Sequence, residues 1–262
     1  MSQLKVAILQ SDIIWENPKE NREAYAKKLA TILPDTELVV FPEMFTSGFT
    51  MNANEIAEGM EGETVSWIKK MAEIHRFAIL GSLIIKVQEN KRTTFKNRLL
   101  FITPDGKIQF YDKRHTFTLA KENQVYERGH TKLIVSYKGW KICPLICYDL
   151  RFPVWARNTE NYDLLLYVAN WPTPRISAWD TLLRARAIEN MSYTIGVNRV
   201  GFDDNGYEYS GNSACYDTMG KCLVKNNKGE AVIMYVTLDK EKQNLARNKF
   251  HFLSDMDTFS IL

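Results

Sequence analysis

Ile142-Cys143-Pro144-Leu145-Ile146-Cys147-Tyr148-Asp149-Leu150-Arg151-Phe152-Pro153 begins as an apolar run and turns polar just past a cysteine. Two other runs end on a reactive group. Leu38-Val39-Val40-Phe41-Pro42-Glu43 stops at a carboxylate, and Ile108-Gln109-Phe110-Tyr111-Asp112-Lys113 stops at an ammonium. Short apolar runs of this kind read as strands. In open α/β sheets ligands gather outside the carboxyl ends of the strands, so a base, a cation and a thiol can converge there on one site. The trio suggests a cysteine hydrolase.

Working outward, further strand-like runs fall near 4–10, 77–85, 97–103, 132–137, 163–169, 193–199, 212–217 and 231–237. Leu164-Leu165-Leu166-Tyr167-Val168-Ala169 is apolar on successive residues, which suits a strand covered on both faces. Helical periodicity appears over 18–33, 63–76 and 177–191. In the last, Ser177 is the expected N-cap; Trp179, Leu182, Leu183, Ala187 and Ile188 form the apolar stripe, and Arg184, Arg186 and Glu189 the polar face. Pro104-Asp105-Gly106 between two runs reads as a hairpin turn, so the sheets are expected to be mixed. No linker, low-complexity tract or repeat divides the chain, which predicts one domain over 1–262. The segment 239–262 is charged and then aromatic, with Phe250-His251-Phe252-Leu253, and is expected to contact a partner subunit.

Composition bounds the class. The 262 residues are 45% hydrophobic and 25% charged, as in an ordinary globular protein. The net charge of +3 comes from 34 basic and 31 acidic residues with no polybasic block, which argues against nucleic acid as a partner. Val6-Ala7-Ile8-Leu9 is too short for a signal-peptide core and no apolar run approaches the ~18 residues of a membrane span, so a cytoplasmic protein is expected. Cys143, Cys147, Cys215 and Cys222 do not make a disulfide framework in a chain this long. The spacing of Cys143 and Cys147 fits neither a redox pair nor a zinc site, so no metal is expected.

Each of the three reactive residues has an ordinary reading when taken singly. Glu43 could be a surface carboxylate, Lys113 a solvated amine and Cys147 an inert buried thiol. Together they complement one another. A free thiol with a pKa of about 8.5 is mostly protonated near neutrality, and a carboxylate lies roughly four units below it. Burial raises the carboxylate and a nearby ammonium favours thiolate, which narrows that gap.

The flanking residues make the pattern specific. Phe41-Pro42-Glu43-Met44-Phe45-Thr46-Ser47-Gly48-Phe49, Tyr111-Asp112-Lys113-Arg114-His115 and Ile146-Cys147-Tyr148-Asp149-Leu150-Arg151-Phe152-Pro153 resemble, in this order, the glutamate, lysine and nucleophile blocks of the nitrilase, or carbon–nitrogen hydrolase, superfamily. The resemblance implies a four-layer α-β-β-α sandwich that pairs into a homodimer. It also implies that Glu43 is the general base, Lys113 the oxyanion-holding cation with the Tyr148 N–H, and Cys147 the nucleophile. A second glutamate is expected between lysine and cysteine; Glu122 is the choice and Glu127 the competitor. The implied chemistry requires no cofactor.

Within the superfamily, Met44–Phe49 and Tyr167-Val168-Ala169-Asn170-Trp171-Pro172 are similar to the ω-amidases, which act on short 2-oxo acid amides. A substrate carboxylate would then need a cation, for which Arg175 is the candidate. Arg151 is expected instead to form a structural ion pair with Asp149 or another carboxylate. Phe45 and Trp171 are candidate pocket walls. His115 is expected to serve the scaffold, and Arg184, Arg186, Glu189 and Asn190 to bridge to loops beside the site. Other amide specificities, such as N-carbamoyl amino acids or aliphatic amides, share the same reactive residues, and a non-catalytic binding member would keep the fold.

Overall fold

The computed structural model describes residues 2–89 and 92–260; Met1 and the last two residues of the 239–262 segment lie outside them. The strands follow the apolar runs: β1 (Gln3–Gln10), β2 (Leu38–Val40), β3 (Ala78–Glu89), β4 (Arg92–Ile102), β5 (Ile108–Asp112), β6 (Val135–Tyr137), β7 (Trp140–Ile146), β8 (Leu164–Ala169) and β9 (Tyr193–Asn198). After them come β10 (Val200–Phe202), β11 (Glu208–Ser210), β12 (Ser213–Tyr216), β13 (Cys222–Asn226) and β14 (Val232–Asp239). The helices are α1 (Pro18–Leu29), α2 (Ala53–Ile56), α3 (Glu63–His75), α4 (Glu122–Val125), α5 (Pro153–Ala156), α6 (Ile176–Asn190) and α7 (Lys240–Phe250).

Two six-stranded sheets result, ordered β14-β1-β2-β3-β4-β5 and β13-β12-β9-β8-β7-β6. β1, β2 and β3 run parallel, as do β7, β8 and β9, while the flanking strands are antiparallel. Two reversals, from β3 to β4 and from β4 to β5, return β5 to the direction of β2. The carboxyl ends of β2 and β5 therefore open on the same edge of the first sheet, which is how Glu43 and Lys113 come to one place. The hairpin at Pro104-Asp105-Gly106 makes one of those reversals, with Gly106 at φ +79° and its N–H donating to Thr103.

Strand alternation sorts the side chains into layers. Leu4, Val6 and Ile8 of β1 join the core between the sheets, with Leu38, Leu80, Leu99, Ile142, Leu164 and Leu166. Ala7 and Leu9 of the same strand face the other way, to Leu29 of α1 and Val65, Ile68 and Ala72 of α3. Trp179, Leu183 and Ala187 of α6 cover the outer face of the second sheet. This is the α-β-β-α sandwich. Each fully buried Leu or Ile contributes about 1.5–3 kcal/mol relative to exposure.

Local details depart from the sequence reading. Ser177 is exposed and lies inside α6, because the turn Thr173–Arg175 runs directly into the helix and leaves Arg175 at its N-cap. On the same helix Ile188 is 46% exposed while Arg186 is buried, its guanidinium donating to the carbonyl of Leu150 at 2.7 Å. A polar side chain on the buried face satisfies a carbonyl of the turn after β7. The segment from Asp239 begins with a helix packed on its own chain: Gln243 donates to the Asp163 carbonyl (2.7 Å), and Arg247 to those of Met191 (2.8 Å) and Tyr162 (2.6 Å). Beyond it Phe252 and Phe259 are exposed.

Candidate active site

Glu43 follows β2 and is fully buried. Its Oε1 accepts from Lys113 Nζ and from Asn97 Nδ2, both at 2.8 Å, and its Oε2 accepts from the backbone N–H of Asn170 at 2.8 Å. The Asn170 side chain closes the clamp by donating to the Glu43 carbonyl at 2.6 Å. Lys113 also donates to both oxygens of Glu122, at 2.9 and 3.1 Å. The competitor Glu127 is elsewhere: 41% exposed, it pairs with Arg92 and Lys96 at the surface.

Cys147 comes directly after β7 at φ +43°, a conformation that costs a non-glycine residue energy and persists only where the surroundings impose it. Its sulfur lies 3.9 Å from the carbonyl oxygen of Asn170, the residue whose backbone N–H and side chain also hold Glu43. Burial pushes the thiol well above its ordinary pKa, the charge of Glu43 adds to this, and Lys113 opposes it. The resting sulfur is therefore a neutral thiol. Burial pulls the Lys113 ammonium down, but the carboxylates of Glu122 and Glu43 outweigh that and hold it charged above the usual lysine range. Burial also raises the Glu122 carboxyl, with Lys113 opposing and Glu43 reinforcing.

Lys113, Cys147, Tyr148 and Asn170 line a pocket of about 710 Å³. Trp171 and Phe117 form walls, and each carries a cation: the Arg151 guanidinium lies 5.0 Å from the Trp171 ring and that of Arg175 lies 5.2 Å from Phe117. Among the described residues neither guanidinium has an ion-pair partner or a hydrogen-bond acceptor. The expected Arg151–Asp149 pair is not formed, because the buried Asp149 carboxylate is already taken by Tyr111, His115 and the backbone of Ile146. His115 accordingly belongs to the scaffold, stacked 3.7 Å from Phe152.

Phe45 is not a pocket wall. It packs against Tyr25, Phe41 and Trp67 in the core under α1 and α3, on the face of the first sheet turned away from the thiol. Asn97 and Asn170, which hold Glu43, were missed by the sequence reading. Asn170 had a usable signal, since it ends β8 as Glu43 ends β2; Asn97 lies within β4 and had none. Glu16 also lines the pocket, but its carboxylate is used by Thr50 and Asn52.

The fold has close counterparts among known proteins. The chain belongs to the carbon–nitrogen hydrolase family, whose model matches residues 5–248. It is 42% identical to omega-amidase YafV of Yersinia enterocolitica over the whole of both chains, and 31% identical to 2-oxoglutaramate amidase of Bacillus subtilis over 87% of this chain and 88% of that one. A crystal structure from Xanthomonas campestris, of a carbon–nitrogen hydrolase superfamily protein with an arsenic adduct in its active site, superposes with a TM-score of 0.95 at 40% identity over the full length of both chains. The protein is thus an enzyme that hydrolyses carbon–nitrogen bonds of amides.

Proposed function

We propose that the protein is an ω-amidase that releases ammonia from the terminal amide of short 2-oxo dicarboxylic acid monoamides, such as 2-oxoglutaramate and 2-oxosuccinamate, through a thioester on Cys147. The observation that carries this reading is one pocket lined by a buried thiol and a buried ammonium, with the Glu43 carboxylate 2.8 Å behind that ammonium, and with two guanidiniums on its walls that have no ion-pair partner among the described residues.

In the first half-reaction Glu43 takes the thiol proton as Sγ attacks the amide carbon. The resulting oxyanion is held by the Lys113 ammonium and the Tyr148 N–H. One such donor is typically worth about 2.7–4 kcal/mol. Glu43 returns the proton to the nitrogen, the carbon–nitrogen bond breaks, ammonia leaves and the thioester remains. Glu43 then takes a proton from water as the water attacks the thioester carbon, and returns it to Sγ as the carbon–sulfur bond breaks, which frees the carboxylic acid and restores the thiol. Glu122 keeps Lys113 charged and in place throughout. This cycle consumes only amide and water.

At the far end the substrate carboxylate and its neighbouring oxo group offer acceptors to Arg175, and Arg151 joins it now that Asp149 does not hold it. An α-ammonium in the same position would meet two cations, so the walls favour 2-oxo over 2-amino acid amides. The named relatives act in the same sense, as an omega-amidase and a 2-oxoglutaramate amidase. A cytoplasmic homodimer of single-domain subunits, in which the segment 239–262 touches the partner, completes the proposal; light scattering tests the pairing.

Ammonia release from 2-oxoglutaramate, glutamine, an N-carbamoyl amino acid and a neutral amide of similar length tests the substrate. The expected order has 2-oxoglutaramate first, and a neutral amide turned over equally well overturns it. Cys147→Ala is expected to be folded and inactive; wild-type turnover by that variant overturns the mechanism.

A further inference from the structure

We propose that Asp149 is a positioning residue that locks the nucleophile turn to the lysine-bearing segment and so sets the geometry between Cys147 and Lys113. The inference rests on the roles proposed above for those two residues. Asp149 is fully buried, and its carboxylate joins two pieces of chain remote in sequence. On its own side, Oδ2 accepts the N–H of Ile146 at 3.0 Å, which closes the turn around Cys147. Across the site, Oδ2 also accepts the Tyr111 hydroxyl at 2.8 Å, and Oδ1 accepts both the backbone N–H of His115 at 3.0 Å and its ring Nδ1–H at 2.8 Å. Tyr111 in turn accepts from the N–H of Arg114 at 3.1 Å and from Trp155 Nε1 at 3.0 Å.

Lys113 lies between these anchors, with Tyr111 on one side and His115 on the other. Cys147 lies between Ile146 and Asp149. One carboxylate therefore grips the chain on both sides of the cation and both sides of the thiol. The left-handed φ of +43° at Cys147 needs such a restraint, because an unconstrained cysteine would relax out of it. No apolar or neutral side chain replaces the function: four donors converge, and only an ionised carboxylate accepts from all of them.

Asp149→Asn keeps the size and removes the capacity to accept on one of the two sides. The expected result is a fall in kcat of about 100-fold, the scale on which an ångström of misplacement acts, with KM changed less than about twofold. Alkylation of Cys147 by iodoacetamide, followed by mass mapping of the labelled peptide, is expected to slow in the folded variant, because the sulfur is no longer held beside the Lys113 ammonium that favours its ionised form. A role confined to stability would lower the melting temperature yet leave kcat and the alkylation rate of the folded protein at wild-type values, and that result overturns the proposal. Should Asp149→Asn not fold, Tyr111→Phe removes one donor and is expected to shift the same two readouts in the same directions, less strongly; unchanged values there overturn it equally. If Cys147→Ala remained active, the functional reading would fail while the alkylation arm still reported on the grip of Asp149 on the turn.

Discussion

Lys113 and Glu122 form a two-point contact in the interior, with Nζ 2.9 and 3.1 Å from the two carboxylate oxygens and both side chains out of water. Glu43 takes a further proton of the same ammonium at 2.8 Å. One ammonium thus bridges two carboxyl groups that would otherwise face each other directly. Breaking a buried pair by removing one charge is costly because the other is left uncompensated, so the two glutamates are not interchangeable spares.

Glu122→Gln tests that division of labour. The amide still accepts from Lys113 but no longer balances it, and the ammonium then leans on Glu43 alone, which weakens Glu43 as a base. The expected outcome is a folded protein with kcat lower by about 10²–10⁴-fold, the range of general-base contributions, and KM little changed. Steady-state kinetics alongside a thermal melt decide it; a near wild-type kcat would remove Glu122 from the reaction.

The acid limb of the pH–rate profile follows from the same cluster. Burial raises the Glu122 carboxyl, so on acidification it takes a proton sooner than a free glutamate at about 4.3. A carboxyl whose folded pKa is raised stabilises the fold below its unfolded pKa, and that contribution is lost as pH rises through the folded value. Acid therefore removes activity through this group without removing the fold. The expected kcat/KM falls at a pH above 4.3, reversibly, while far-ultraviolet circular dichroism stays native; a coincident loss of both signals contradicts it. On the alkaline side Lys113 stays protonated past the usual lysine value near 10.4, so it does not set that limb.

The two wall arginines should act on binding rather than on chemistry. On the proposed function, Arg175→Ala and Arg151→Ala should each delete a charged donor for the substrate carboxylate, worth about 1.5–3 kcal/mol, or roughly 10–100-fold in KM for 2-oxoglutaramate. Turnover of a neutral amide should barely change. Equal losses with both substrates would mean that the arginines hold the walls through Phe117 and Trp171 instead of holding the ligand.

How much of this was legible in the sequence depended on where the physical signal resided. Apolar runs mark strands buried on both faces, so the two sheets could be read, but β10, β11 and β13 could not. Those strands are short and partly exposed, as in Cys222–Asn226, and carry no apolar period. α7 was missed for a related reason: its one buried residue is Gln243, and it docks through hydrogen bonds that leave no hydrophobic stripe. In the site, strand endings pointed to Glu43, Lys113 and Cys147, which the fold brings together. The facing of Phe45 was lost because adjacency in sequence does not say which side of a sheet a residue takes after a turn, and Met44 just before it has φ +43°. The Arg151 reading failed because the partners of Asp149 come from a distant strand.

Gly196 offers a test of the scaffold that should leave the chemistry alone. It lies in β9 where α6 crosses the outer face of the second sheet, and a Cβ there would sit 2.6 Å from Cζ2 of Trp179 and closer still to Leu183. Both neighbours are fully buried, so neither has room to retreat, and Trp179 is also fixed by the bond from its Nε1 to the Asn212 carbonyl at 2.9 Å. Overpacking of a core typically costs about 1–3 kcal/mol. Gly196→Ala should therefore lower the unfolding free energy by that amount, seen as a lower denaturation midpoint at an unchanged m-value, while KM and kcat of the folded fraction stay at wild-type values. A stability equal to wild type would mean that α6 can lift from the sheet, and the close approach of helix and strand at Gly196 would not be a constraint on the fold.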